Sequence, residues 1–187
     1  KYFYHLDSFN ALWDRYPTLV LKTIEEVLRQ TEVGTSVNLH QVAQVVKALP
    51  IHLLTDMHGN IPYTEMNKGI DGVFFPKYDT QESIYKSLLA KLHTAANTIG
   101  TGTDGLGTAD VIYGGDLQKW RKFANSLMLR LAMRISNVDP GTAQTFVQAA
   151  ISGGVMESNL DMAWIQMADG PTDWFNKNGM SRALNPS

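Results

Sequence analysis

The sequence predicts an all-α protein made of irregular helix pairs with long loop insertions. Apolar residues recur at helical spacing in five segments, glycines and prolines gather between those segments, and no segment shows the alternation of a half-buried strand. Helices without intervening strands must bury their apolar stripes against one another, which favours an irregular, solenoid-like stack. A regular tetratricopeptide array is not predicted, because Trp, Leu-Gly and Tyr do not recur at its period of ~34 residues.

The first predicted helix begins at Pro17, whose ring suits a first helical turn, and continues through TLVLKTIEEVLRQ. Its apolar side consists of Leu21, Ile24, Val27 and Leu28. The second predicted helix spans residues 38–55, and Pro50 should kink it. Its apolar residues are Leu39, Val42, Val45, Val46, Leu49 and Leu53.

A non-helical insertion is predicted at residues 56–80, because its glycines and prolines interrupt regular structure. Its length indicates a functional role. Asp79 or Thr80 can cap a third helix, which ends near Ile99. The apolar face of that helix consists of Ile84, Leu88 and Leu92. The glycine-rich segment that follows, GTGTDGLGTADVIYGG, is predicted to be a flexible connector.

The fourth helix, DLQKWRKFANSLMLRLAMRISN at residues 116–137, gives the clearest pattern in the chain. Asp116 is placed to cap its first turn, and Arg134 at the edge of its stripe needs a carboxylate or carbonyl partner. Leu129 and Met133 lie on the opposite side, which predicts a second, smaller contact. The buried stripe consists of Leu117, Trp120, Phe123, Ala124, Leu127, Met128, Leu131 and Ile135.

A fifth helix is predicted at residues 142–151, followed by a loop-rich tail at residues 155–187. We therefore expect residues 1–187 to form one partial domain with a helical core at about 17–154. The chain has no initiator Met and ends in the turn-like sequence Asn185-Pro186-Ser187, so we expect further sequence at both ends.

Composition excludes several classes of function. Sixteen Lys and Arg residues stand against eighteen Asp and Glu residues, so the net charge of −2 disfavours nucleic acid as a partner. The absence of cysteine removes disulfides, a thiolate nucleophile and Cys-ligated zinc. No apolar run approaches the ~20 residues of a membrane-spanning helix.

Motifs for cofactor or metal chemistry are weak. His52 and Asp56 lie one helical turn apart near His58, but zinc needs a third well-placed ligand, so helix-end hydrogen bonding is favoured over a metal. The G-x-G-x-x-G spacing of Gly100, Gly102 and Gly105 follows a helix instead of a strand and predicts no dinucleotide site. The spacing of Asp104, Asp110 and Asp116 does not fit a calcium loop and indicates capping and turn formation. No cofactor and no metal are predicted.

Catalysis also has little support in the sequence. Neither a G-x-S-x-G stretch nor a cysteine nucleophile is present. A glycosidase mechanism that uses two carboxylates is neither supported nor excluded, because the sequence does not show which acidic residues meet in space.

Three segments of the chain resemble SusD/RagB-like outer-membrane lipoproteins. These segments are LTDMHGNIPYTE, FPKYDTQESIYKSLLAKL and DVIYGGDLQKWRKFANSLMLRLAMRIS, and the resemblance covers about residues 31–154. Two features depart from the family pattern: Met57-His58 stands where an aromatic residue often precedes the glycine, and Pro50 interrupts a helix that is often continuous.

The resemblance implies a helical fold with tetratricopeptide-like pairs, of which this chain would form a part. It further implies a lipid anchor in the outer membrane, outside these residues, with the protein facing outward. The implied role is the capture of an oligosaccharide or a peptide, without bond chemistry, for a SusC-like TonB-dependent transporter. A helical scaffold that binds only protein and, less favoured, a glycan hydrolase are the alternatives.

Aromatic residues are the best candidates for ligand contact, because a sugar stacks its C–H face on an aromatic ring. Trp164 and Trp174 lie in the tail among amide and acid side chains, and Trp13 and Tyr16 rank next. For each Trp, packing within the core or a loop is the competing interpretation. Trp120 is a poor candidate because it lies on the buried stripe of the fourth helix.

Overall fold

The structure, a computed structural model, describes Trp13, residues 16–31, Gly34 and residues 36–165. Its α-helices are α1 (Lys22–Thr31), α2 (Val37–His58), α3 (Gln81–Thr98), α4 (Leu117–Arg134) and α5 (Pro140–Gly153). A π-helical segment, Tyr16–Leu21, precedes α1, and short 3-10 turns lie at Lys68–Asp71, Gly107–Ala109 and Asn159–Asp161.

The all-α prediction is confirmed across the described residues. No strand forms there, and the only bridge joins Ile61 to Asp79. Each helix packs against the next along the chain, and α5 also contacts α3, which gives the irregular stack of helix pairs expected from the sequence. No helix of the described part is long and apolar enough to span a membrane.

The core lies mainly between α2, α3 and α4. The predicted face of α3 is buried, since Ile84, Leu88 and Leu92 are at most 2% exposed. Along α2 the burial is less even, because Leu39 and Leu53 of the predicted apolar set are exposed. The helical period therefore identified the buried side of α2 correctly, but it wrongly included Leu39 and Leu53, which are exposed.

The stripe of α4 is confirmed, and Trp120, Leu127, Met128 and Leu131 on it are buried. This helix packs against both α3 and α5. The predicted contact on its far side is correct for Leu129, which packs against the core, and wrong for Met133, which is exposed.

Two boundaries lie beyond the predicted ones. The α2 helix continues through Pro50 and ends at His58, where Gly59 adopts a positive φ and its N–H donates to the Thr55 carbonyl. At the start of α5, Pro140 occupies the first turn, and the Asp139 side chain accepts a hydrogen bond from the Thr142 N–H.

The glycine-rich connector before α4 is held by carboxylates. Asp110 accepts hydrogen bonds from the indole N–H of Trp120 and from the backbone N–H groups of Ile112, Tyr113 and Gly115. Burial alone would raise the pKa of the Asp110 carboxyl, but these donors outweigh burial and lower that pKa. The sequence interpretation of flexibility overlooked such contacts, whereas the turn-forming role of this aspartate is confirmed.

Asp79 and Thr80 compete for the cap of α3, and the structure selects Thr80, whose hydroxyl accepts the Ser83 N–H. On α4, Asp116 accepts from the N–H groups of Gln118 and Lys119, as predicted. Both contacts satisfy N–H groups that have no partner inside the helix.

Arg134 has the carboxylate partner that its position required. Its guanidinium lies 2.7 Å from the second carboxylate oxygen of Asp56, whose first oxygen accepts a hydrogen bond from Tyr85. His52 is buried, and its Nδ1 donates to the Ala48 carbonyl. The described residues bring no group of three His, Asp or Glu side chains into metal-binding geometry.

Candidate functional site

The described residues form a cleft of about 1850 Å³. Its walls are the segment from Thr18 to α1, the N-terminal half of α2, the loop at residues 59–80 and one side of α3. This loop is the predicted insertion without residues 56–58, which belong to α2, and it is called the insertion from here on. Pockets that bind small molecules usually have volumes of about 300–1,000 Å³. This insertion cleft is open to solvent and is large enough for several units of an extended polymer.

Asp79 makes several of the contacts that close the insertion at its base. The backbone N–H of Asp79 donates to the Ile61 carbonyl at 2.9 Å, and the Asp79 carboxylate accepts from both the N–H and the hydroxyl of Thr64. These contacts bring the two ends of the insertion together. The sequence predicts Asp79 as a possible helix cap, and residue spacing alone does not indicate this loop-closing role.

Further contacts hold the insertion beside the cleft. The Glu65 carboxylate accepts from the Lys77 N–H at 2.7 Å, and the Asn67 amide donates to the Pro17 carbonyl at 3.0 Å. Apolar side chains remain exposed on the loop that these bonds secure: Ile70, Phe74, Phe75 and Tyr78. Phe74 is one of the residues that line the cleft, so an aromatic ring is available at its rim.

A tyrosine lies between two lysines at the floor of the cleft. The ammonium groups of Lys47 and Lys91 lie 5.3 Å and 5.1 Å from the centre of the Tyr63 ring. Lys91 also donates to the Tyr63 hydroxyl at 2.8 Å, and the Ser87 hydroxyl lies 3.1 Å from that oxygen. Lys47 is 8% exposed and forms an ion pair with Glu25. The floor is thus a preorganised polar cluster.

A side pocket of about 230 Å³ adjoins the floor. Lys91 and Gln44 both line it, and the Gln44 amide nitrogen lies 3.5 Å from Nε2 of His40. The Gln44 carbonyl oxygen is buried and has no hydrogen-bond partner among the described residues.

Sequence reasoning missed Lys47, Tyr63 and Lys91, because they come from α2, the insertion and α3. One signal was present: Lys47 interrupts an otherwise apolar run between Val46 and Ala48. A lysine at such a position must find a partner when the helix packs.

The aromatic candidates from the sequence lie elsewhere. Trp13 contacts His58 edge to face with 5.2 Å between ring centres, and Tyr16 packs against the core at the start of the π-helical segment. Trp164 is 54% exposed, whereas Trp174 lies outside the described residues. None of the three described candidates is among the residues that line the insertion cleft, and their role in ligand contact stays a prediction.

The turn before Trp164 is held against α4 and the connector. The Asp161 carbonyl accepts from the Tyr113 hydroxyl at 2.8 Å, and the Asp161 carboxylate accepts from the Glu157 N–H and from Lys122. The Glu157 N–H and then the Lys122 ammonium lower the pKa of the Asp161 carboxyl. These bonds hold the backbone three residues before the exposed indole.

Comparison with known families identifies the family of this chain. Residues 1–184 match the family SusD-like_2, described as "Starch-binding associating with outer membrane". The chain belongs to this SusD-like family. The resemblance noted in the three sequence segments is thereby confirmed.

Solved structures agree with this assignment. A structure titled "chitin-binding protein" shares 35% identity and a TM-score of 0.76, over 83% of this chain and 33% of its own length. A chitin-binding SusD homologue from Flavobacterium johnsoniae shares 28% identity and a TM-score of 0.74, over 82% of this chain and 33% of its own. A SusD-like protein from Bacteroides thetaiotaomicron VPI-5482 shares 33% identity and a TM-score of 0.72, over 83% and 32%.

The chain therefore spans about a third of the length of these structures. Among curated proteins, none is significantly similar to it.

Proposed function

We propose that this chain is part of an outer-membrane protein that captures an oligosaccharide and passes it to a SusC-like TonB-dependent transporter without cleaving it. The observation that carries the proposal is the similarity, at 35% identity, to a structure titled as a chitin-binding protein. The family description, which names starch binding, supports the same class of ligand. Peptide is the second ligand class that the family resemblance implies.

The insertion cleft suits such a ligand. A sugar chain needs an open groove, aromatic faces for its C–H surface and polar groups for its hydroxyls. The cleft offers Phe74 at its rim and the amides of Gln41, Gln44 and Asn67 along its walls. Trp164 and Trp174 remain the proposed stacking platform in the tail.

Three of the four carboxylates that line the cleft have hydrogen-bond or ion-pair partners, which favours binding over hydrolysis. Glu25 is paired with Lys47, and Glu65 accepts a backbone hydrogen bond. Glu26 accepts from Arg29 and Gln30, and the hydrogen bond from Arg29, followed by that from Gln30, lowers the pKa of this carboxyl to about 2. A glycosidase acid requires the opposite shift, because it must hold a proton near neutral pH.

Location at the outer membrane is proposed from the family, whose description includes association with that membrane. We propose a lipid anchor that lies outside the present residues and holds the protein facing outward. Such an anchor would keep the binding surface close to the transporter.

Incubation of the full-length protein with a panel of oligosaccharides tests the function. Binding in calorimetry with no shortened products supports capture. Depolymerised products would instead establish a hydrolase, and binding to none of the oligosaccharides would favour the protein scaffold.

Partnership needs a separate experiment. The native protein, extracted in a mild detergent that preserves membrane complexes, should co-purify with a transporter barrel. Recovery only as a monomer under those conditions would contradict the partnership while leaving glycan binding open to its own test.

A further inference from the structure

We infer that the floor of the insertion cleft binds an anionic group, a carboxylate or a sulfate, carried by the captured glycan. This inference rests on the proposed function and names the ligand class at one part of the site. Lys91 is the residue that would contact the anion.

The charges at the floor do not balance. Lys47 and Lys91 both approach the Tyr63 ring, but Glu25 pairs only with Lys47. No carboxylate of the described residues lies within ion-pair distance of Lys91. One excess positive charge therefore stands beside a half-buried cluster, where an anionic ligand group would neutralise it at reduced solvent screening.

Lys91 also has unused hydrogen-bonding capacity. An ammonium group has three donors and no acceptor, and among the described residues the Lys91 ammonium group donates only to the Tyr63 hydroxyl. That bond directs the ammonium group toward the cleft floor and leaves donors for a ligand oxygen. Charged acceptors are the strongest partners for such donors, roughly twice as strong as neutral ones.

The side pocket adds a second point of recognition. Gln44 has its amide nitrogen beside His40, and its carbonyl oxygen is buried without a partner among the described residues, so a ligand hydroxyl reaches this oxygen only when the side chain turns toward the pocket. Lys91 and Gln44 line this same pocket. A sugar that carries an acidic group next to a hydroxyl satisfies both: the acidic group accepts from Lys91, and the hydroxyl donates to Gln44.

Other positively and negatively charged residues line the wider cleft. Two ion pairs form there, Lys47 with Glu25 and Arg29 with Glu26. The remaining charged lining residues are Lys22, Glu65, Lys68, Asp71 and Lys91. The excess positive charge is thus a property of the floor, and the inference concerns Lys91 there and not the cleft as a whole.

Matched ligands give the decisive test in the full-length protein. Calorimetry would compare an oligogalacturonate with its fully methyl-esterified form, and a chitin oligosaccharide serves as the neutral reference. We expect the acid to bind about tenfold or more tightly than the ester, the gain expected of a charge-assisted hydrogen bond. A sulfated oligosaccharide, compared with its desulfated form, distinguishes sulfate from carboxylate as the source of the charge.

Lys91→Met should abolish the preference for the acid, because the acid loses its charged partner and then binds no more tightly than the ester. Lys91→Arg should retain the preference, because it keeps the charge. The matched control is Lys86→Met, which removes a lysine on the same helix that pairs with Glu82 and does not line the cleft.

Three outcomes are informative. Equal affinity of the wild-type protein for each charged and uncharged pair would overturn the inference, and this comparison needs no variant. A preference that survives Lys91→Met in a protein with an unchanged melting temperature would also overturn it. If neutral and acidic glycans all fail to bind, the proposed function itself fails.

Discussion

Asn38 and Asp104 form hydrogen bonds with each other, although they lie 66 positions apart in the sequence. The Asp104 carboxylate accepts from the Asn38 backbone N–H at 3.0 Å, and the Asn38 side-chain amide donates to the Asp104 carbonyl at 2.6 Å. The amide oxygen of Asn38 also accepts from the Gly100 N–H at 2.7 Å. The first turn of α2 is thereby fastened to the connector that leaves α3.

Replacement of Asn38 by Ala should therefore lower the free energy of unfolding by about 1–3 kcal/mol, the usual cost of leaving buried polar groups unpaired. Asn38 has no exposed surface, so water does not replace the lost bonds. Denaturant unfolding measures the change. Asn97→Ala is the matched control, since Asn97 is exposed and bonds only within its own helix turn to His93. Equal effects of the two substitutions would refute the proposed role of Asn38.

The contact between Asn38 and Asp104 could not be predicted from the sequence. The buried stripe of α4 was predictable, because the spacing of apolar residues within one helix shows which side faces the core. This spacing placed Leu127 and Leu131 correctly on the buried side. Asn38 gave no comparable signal, since its partners lie in a glycine-rich segment far along the chain. The same holds for the cleft floor, where Lys47 and Lys91 meet Tyr63 only after three elements have packed.

Truncation of the α4 stripe tests the core. Leu127→Ala or Leu131→Ala should cost about 2–5 kcal/mol, because each leaves a cavity among tightly packed neighbours. Both leucines are at most 3% exposed. Thermal and denaturant melts report the loss, and Met133→Ala on the exposed side should change stability by less than about 0.5 kcal/mol. Losses below that limit at both leucines would mean that the stripe does not face the core.

Acidification should reveal the burial of His52. Burial lowers the pKa of this imidazole, against the opposing effects of its bond to Ala48 and of Asp56, while Arg130 and Arg134 lower it further. The unfolded chain therefore takes up a proton below about pH 6.5, before the folded protein does, so the free energy of unfolding falls as pH decreases through that range. The slope from one such group is at most about 1.4 kcal/mol per pH unit.

His52→Gln removes this titration and keeps a side chain that can donate a hydrogen bond. Between pH 7 and pH 5 the wild-type protein should lose more stability than the variant, as measured by denaturant unfolding at each pH. Parallel pH profiles for the two proteins would show that His52 carries a proton in the folded state as readily as in the unfolded one.

Trp164 and Trp174 are expected to stack on the captured sugar. Trp164 is 54% exposed after a turn that Tyr113 and Lys122 hold in place, so its side chain is accessible to a ligand. By analogy with aromatic platforms for nucleic-acid bases, loss of a stacked ring should cost about 1–3 kcal/mol of binding free energy.

The double variant Trp164→Ala, Trp174→Ala in the full-length protein measures that contribution by titration with a bound oligosaccharide, after circular dichroism has verified folding. Addition of a chelator should leave affinity unchanged, because the proposed contact is a stacked ring and not a metal. Trp120→Phe would be an unsuitable control, since that indole is buried and donates to Asp110. Met162→Ala is better matched, because it removes an exposed apolar side chain from the same segment without removing a ring. Unchanged affinity in a folded double variant would mean that the stacking site lies elsewhere, outside these two residues.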